Sequence, residues 1–157
     1  MLRLPLEVKL QFYFAILLAC CLIKKIGDNI YFGRSAVLKN PNLISLGNNV
    51  SIHDFCYIDA AGGLSIGKNV SIAHGASILT FNHTWNDESL PIKYNPVEFS
   101  EVVIEDDVWI GCGVRVMPGV RIGSRSVIAA GAAVTKDVRA GCIVAGVPAK
   151  VLKRIGS

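Results

Sequence analysis

A chain of 157 residues that is 52% hydrophobic and 18% charged has the length of one domain and is too apolar to remain disordered. Its 15 glycines and aliphatic bias favour many short strands and turns over a helical bundle. Sixteen Lys and Arg against twelve Asp and Glu give a net charge of +4, with no run of five basic residues, so a nucleic-acid groove is not expected. The five cysteines, Cys20, Cys21, Cys56, Cys112 and Cys142, are odd in number and form no CxxC pair, which fits small apolar side chains in a reducing cytosol.

The chain opens with an apolar run from Phe12 to Ile23, preceded by Arg3 and Lys9 and closed by Lys24 and Lys25. A spanning helix needs about 20 apolar residues, and no small-residue cleavage site follows the run. It therefore reads as neither a membrane span nor a signal peptide. The pattern predicts a helix from Glu7 to Ile23, inside an N-terminal helical segment over 1–25. That helix is apolar almost all round in its second half and must be covered. Two coverings stay open: packing over the end of the domain or against a sister subunit, and peripheral docking on a membrane through 7–25 with Lys24 and Lys25 near the headgroups.

From Ile26 onward the chain repeats with a period of six. Aliphatic or Phe residues recur at Ile26, Phe32 and Leu38, at Leu46, Ile52 and Ile58, and at Ile66, Ile72 and Ile78. The spacing returns at Ile104, Ile110, Val116, Ile122, Ile128 and Val134. Neither a helix nor a hairpin sheet predicts this period. A six-residue unit that projects one large side chain inward and then turns implies a three-sided solenoid of parallel coils over 26–145. Steps of eight from Leu38 to Leu46 and from Ile58 to Ile66 place the extra residues at one corner, and a long loop over 79–103 leaves from that same corner. Long insertions collected on one face of a repeat array tend to mark the binding face.

At Ile78-Leu79-Thr80-Phe81-Asn82-His83, Val108-Trp109-Ile110-Gly111, Met117-Pro118-Gly119-Val120-Arg121-Ile122-Gly123 and Ala145-Gly146-Val147-Pro148-Ala149-Lys150-Val151, the chain resembles the hexapeptide-repeat acyltransferases. These include galactoside and maltose acetyltransferases and surface-polysaccharide O-acetyltransferases. The resemblance covers 26–155. It implies an all-β fold, a left-handed parallel β-helix with a short N-terminal helix, a long protruding loop and a short C-terminal basic helix or tail over 146–157. It also implies acyl transfer from acetyl-CoA, with no metal, in a homotrimer whose active sites lie between subunits.

Carried onto this sequence, the resemblance makes His83 the general base that takes the acceptor's proton. An imidazole, ordinarily titrating near pH 6.5, can both accept and return a proton near neutrality. A histidine that merely ties down its loop is the alternative. The family's oxyanion donor, a backbone amide, falls on Cys112. Its CoA contacts fall on Cys112, Ala130, Thr135, Lys136, Lys150 and Lys153, where lysine keeps the charge without arginine's bidentate fork. For the acceptor, Trp85 could stack on a sugar ring and Asp87 could accept sugar hydroxyl hydrogen bonds, with His53 and Asp59 beside them.

The expected function is thus a cytoplasmic acetyltransferase, membrane-peripheral if the N-terminal segment docks on a membrane, acting on a sugar hydroxyl in surface polysaccharide or lipopolysaccharide assembly. Three alternatives stand beside it. One is a sugar N-acetyltransferase of the same fold, and another is a zinc enzyme like the γ-class carbonic anhydrases, which would need all three histidines. The third is a non-catalytic scaffold, since fold alone does not give function.

Overall fold

The computed structural model describes residues 22–156, over which the chain winds through three parallel sheets as a triangular solenoid. The first face is built from Tyr31–Phe32, Ser51–Ile52, Ser71–Ile72, Trp109–Ile110, Val127–Ile128 and Cys142–Ala145. The second carries Val37–Lys39, Tyr57–Asp59, Ser77–Leu79, Arg115–Val116 and Ala133–Val134. The third carries Ile44–Leu46, Leu64–Ile66, Val102–Ile104 and Arg121–Ile122. Coil stacks on coil without slippage, so Ile52 faces Ile72, Ile72 faces Ile110 and Ile110 faces Ile128.

The period of six follows from this geometry. Each unit spends two or three residues in a strand, with the hexad residue pointing inward, and the remainder in a turn. From Leu46 to Val134 every hexad residue is at most 2% exposed, each contributing about 1.5–3 kcal/mol of hydrophobic stabilisation. Order loosens at the first coil, where Phe32 and Leu38 are half-buried and Ile26 is 40% exposed. The second inward position of the units is filled by small or β-branched residues such as Val50, Cys56, Val70, Ala76, Val108, Val114 and Ala132, small enough to let the coils close. Cys56 and Cys142 sit in this core as free thiols.

Glycine after a hexad residue serves close stacking. A Cβ on Gly111 would stand 2.7 Å from the Ala130 nitrogen of the next coil. Asparagine recurs for a different reason. Asn29, Asn49 and Asn69 all adopt left-handed backbone (φ 56, 59 and 58), a conformation Asn tolerates better than most residues. Their amides form a ladder along one edge, Asn29 Nδ2 donating to Asn49 Oδ1 at 3.0 Å and Asn49 Nδ2 to Asn69 Oδ1 at 2.9 Å.

The expected loop over 79–103 is a hairpin arm. Phe81–His83 pairs antiparallel with Val97–Phe99, His83 opposite Val97 and Phe81 opposite Phe99. At its root, Thr80 is fully buried. Its hydroxyl donates to the Asp59 carbonyl at 2.9 Å and accepts from the Gly62 amide at 2.7 Å. At its tip, buried Asn95 accepts from the Asp87 amide at 3.0 Å and donates to the carbonyls of Asp87, Leu90 and Pro91 at 3.2–3.4 Å.

The short C-terminal helix is not formed. Residues Lys150–Arg154 make a strand that turns back antiparallel on Cys142–Ala145. A solenoid ends in a row of unpaired backbone groups, and a reversing turn at Gly146 (φ 95) lets the chain cover that edge with its own tail. Pairing the open edge wins over local helix propensity. At the other end, Lys25 already bridges Ser45 and Ile23 is buried in the core. The rest of the predicted N-terminal helix, and with it nearly all of the segment proposed for membrane contact, lies outside the described residues. Among the described residues, no helix is long and apolar enough to cross a membrane.

Candidate active site

His83 ends the outgoing strand of the arm, exposed, and among the described residues its imidazole makes no hydrogen bond or ion pair. It borders a recess of about 160 Å³ with Asn82, Thr84, Trp85, Asn86 and Glu98. Trp85 is 68% exposed, so its ring is presented to solvent and does not anchor the arm. Asp87 lies at the tip, where its Oδ1 accepts from the Ser89 amide at 2.9 Å and the Ser89 hydroxyl at 2.5 Å. These bonds hold the Asp87 carboxyl below its usual range.

Cys112 occupies a different corner of the triangle. It follows Trp109–Ile110 on the turn from the first face to the second, in a column with Asp54, His74 and Ala130. Backbone bonds tie that column together: Gly75 donates to Asp54 at 3.0 Å, Gly113 to His74 at 3.1 Å and Gly131 to Cys112 at 2.8 Å. These bonds engage the alternate residues of each turn, so the amides of Cys112 and Ala130 donate to no group among the described residues. Two adjacent N–H groups without partners are suited to a developing negative charge or a carbonyl oxygen.

The other expected CoA contacts divide between the two corners. Lys150 stands opposite Ala145 on the closing strand, at the end that leads into the Cys112 corner, and Lys153 stands opposite Ile143 farther along. Both are exposed. Thr135 and Lys136 are exposed too, but they follow Ala133–Val134 at the corner from which the arm leaves. Within one chain the second face therefore separates His83, Thr135 and Lys136 from Cys112, Ala130 and Lys150.

His53 and Asp59 are likewise apart. His53 belongs to the Cys112 corner, its ring against Tyr31 with centroids 5.3 Å apart. Asp59 is 6% exposed, and its Oδ1 accepts from Asn40 Nδ2 at 2.7 Å, so it shores up the corner beneath the arm. His53 and His74 share one corner while His83 rises from the next, and no group of His, Cys, Asp or Glu among the described residues could hold a metal ion. Reading the sequence missed Thr80 and Asn95, which set the arm's root and tip. Thr80 stands at the hexad's exit and Asn95 before a proline, but neither position distinguishes a buried polar pin from an ordinary loop residue.

The bacterial transferase hexapeptide (six repeats) family model matches residues 101–136. The chain is 30% identical to the crystal structure of a maltose O-acetyltransferase from Clostridium difficile 630, covering 93% of this chain and 77% of that one with a TM-score of 0.76. It is 28% identical, with a TM-score of 0.84, to a hexapeptide-repeat acetyltransferase from Vibrio cholerae O1 biovar eltor solved with acetyl coenzyme A, covering 92% of this chain and 78% of that one. Over 88 residues, 56% of this chain, it is 43% identical to the 2,3,4,5-tetrahydropyridine-2,6-dicarboxylate N-acetyltransferase of Staphylococcus aureus. It spans about a third (32%) of the length of the curated relatives it matches. The chain belongs to the hexapeptide-repeat acyltransferase family, and its solenoid is that family's left-handed parallel β-helix.

Proposed function

We propose that the chain is an acetyl-CoA-dependent O-acetyltransferase that acylates a sugar hydroxyl, working as a homotrimer in the cytoplasm in surface polysaccharide or lipopolysaccharide assembly. The observation that carries the reading is the pairing of His83 on the arm with the Cys112 and Ala130 amides on the neighbouring corner, none of which has a hydrogen-bond partner among the described residues. Their separation within one chain supports a site assembled from two, the arm of one subunit reaching the Cys112 corner of another. The V. cholerae and C. difficile relatives support acetyl-CoA as donor and a saccharide as acceptor.

The chemistry is a direct transfer. His83 accepts the proton of the acceptor hydroxyl as its oxygen attacks the thioester carbonyl carbon. The carbonyl oxygen gains negative charge and takes a hydrogen bond from the Cys112 amide. Collapse breaks the C–S bond, and the leaving CoA sulfur recovers the proton from the His83 imidazolium. The products are an acetyl ester and the free CoA thiol. The pantetheine arm is an extended chain suited to lie along stacked coils past Ala130 and Thr135, and Lys136, Lys150 and Lys153 supply cations for the nucleotide phosphates. Trp85 offers an apolar face to the acceptor.

The test is thiol release from acetyl-CoA by purified protein across a panel of nucleotide sugars and oligosaccharides, with product mass measured. Saccharide-dependent release with a gain of one acetyl group at oxygen supports the reading. Acetylation only at an amino sugar nitrogen replaces the O-acyl half with N-transfer, and no binding of acetyl-CoA removes the enzymatic reading.

A further inference from the structure

Two coils from Cys112, on the same corner, the backbone makes an unusual choice. The third residue of this turn is Gly75, Gly113 and Gly131 in successive coils, all left-handed (φ 71, 66 and 71), but in the preceding coil it is Phe55, also left-handed at φ 59. For a bulky side chain that conformation is a true outlier, and such strain persists only where the surroundings over-determine it. They do so here. The Phe55 amide donates to Ser35 Oγ at 3.2 Å, and Ser35 donates to Asp54 Oδ1 through its amide at 3.2 Å and its hydroxyl at 3.0 Å.

This clamp serves no packing purpose for the ring it carries. Phe55 is 73% exposed, an apolar face held out at a corner where glycine would fit without strain. Two residues earlier in the chain, the His53 ring meets half-exposed Tyr31 of the preceding coil, with centroids 5.3 Å apart. Coils spaced as neighbouring strands put the Phe55 turn about 10 Å from the Cys112 turn, roughly the reach of one or two sugar rings from a reacting hydroxyl to the next stacking surface.

We infer that Phe55 is a specificity-determining residue, a rigid platform on which the apolar face of a pyranose ring of the acceptor stacks while its hydroxyl is delivered to the Cys112 corner. The inference rests on the sugar acetyltransferase reading above and names the part of the site that selects the acceptor. The hydrogen-bonded clamp fixes the backbone from which the ring projects, and a phenyl side chain has only two torsions to lose on binding.

The experiment compares wild type, Phe55→Gly and Phe55→Tyr in acetyl-CoA thiol release with maltose, methyl β-galactoside and N-acetylglucosamine. Phe55→Gly suits the local φ and is expected to fold with an equal or higher thermal midpoint. Its KM for the accepted saccharide should rise tenfold or more with the KM for acetyl-CoA unchanged, and Phe55→Tyr should restore it. An unchanged saccharide KM in Phe55→Gly overturns the inference. So does loss of the assembly by light scattering in that variant, which would make Phe55 a subunit contact. Acceleration by none of the three saccharides with wild type also overturns it, and calorimetric titration with acetyl-CoA then shows separately whether the transferase reading survives.

Discussion

The hydroxyl of Thr80 is locked between the Asp59 carbonyl at 2.9 Å and the Gly62 amide at 2.7 Å, and this pair of bonds is where the solenoid ends and the arm begins. Thr80 is fully buried, so its hydroxyl depends on these two bonds for its partners. Replacing Thr80 with Val keeps the shape but strands both backbone groups, at a cost of about 1–3 kcal/mol. Chemical denaturation of Thr80→Val should show that loss, and protease sensitivity should rise within the arm before the coils.

His83→Ala is expected to lower turnover about a hundredfold or more while leaving acetyl-CoA affinity close to wild type. The imidazole is exposed and makes no hydrogen bond or ion pair among the described residues, so stability should hardly move. Steady-state kinetics with a calorimetric acetyl-CoA titration check both halves. Full turnover would remove the base assignment.

A site built from two chains can be reconstituted from two inactive ones. His83→Ala lacks the base but keeps an intact Cys112 corner, and Ala130→Trp blocks that corner but keeps the arm. Unfolded together and refolded, the mixture should regain about a quarter of wild-type activity by random assortment if the proposed cyclic trimer forms. Either protein refolded alone should remain inactive, and a mixture with no regain would place the site within one chain.

Gly111→Ala tests the packing of coils. The added Cβ would lie 2.7 Å from the Ala130 nitrogen, against backbone that cannot swing aside. Overpacking of this kind costs about 1–3 kcal/mol. The thermal midpoint should fall, and because the displaced amide belongs to the candidate acyl site, the KM for acetyl-CoA should rise with it.

Acid should destabilise the fold through Glu105. Hydrogen bonds from the Ser124 hydroxyl and amide, both 2.9 Å, and from Arg121 Nη1 at 3.1 Å hold its carboxyl below the usual range. A carboxyl lowered on folding stabilises above its unfolded value, near 4.3 for Glu, and that contribution is lost as pH falls through the folded value. Thermal midpoints measured downward from about pH 6 should decline, and Glu105→Gln should show a lower midpoint at pH 6 with a shallower decline.

The coil was legible in the primary structure because its cause is local and repeated. Each hexad residue from Leu46 to Val134 must fill the same interior slot, so Ile, Leu and Val recur at a fixed interval whatever the coil does outside. The glycines were visible for the same reason, although the close approach of Gly111 to Ala130 needed coordinates to explain it. Phe55 is not legible in this way, because its meaning depends on a left-handed φ and on solvent exposure, which no interval of residues records.

The order of residues by itself determined the three-sided stack, the corner from which the arm departs and the family's motifs, because burial in a repeating core constrains composition at every turn. Tertiary structure alone decided that the arm is a hairpin pinned by Thr80 and Asn95, and that Lys150–Arg154 seals the open edge as a strand. It also decided that His83 and Cys112 rise from different corners. These outcomes depend on which backbone groups lack partners once the coils have stacked, and that is a property of the assembled edge, written in no single segment.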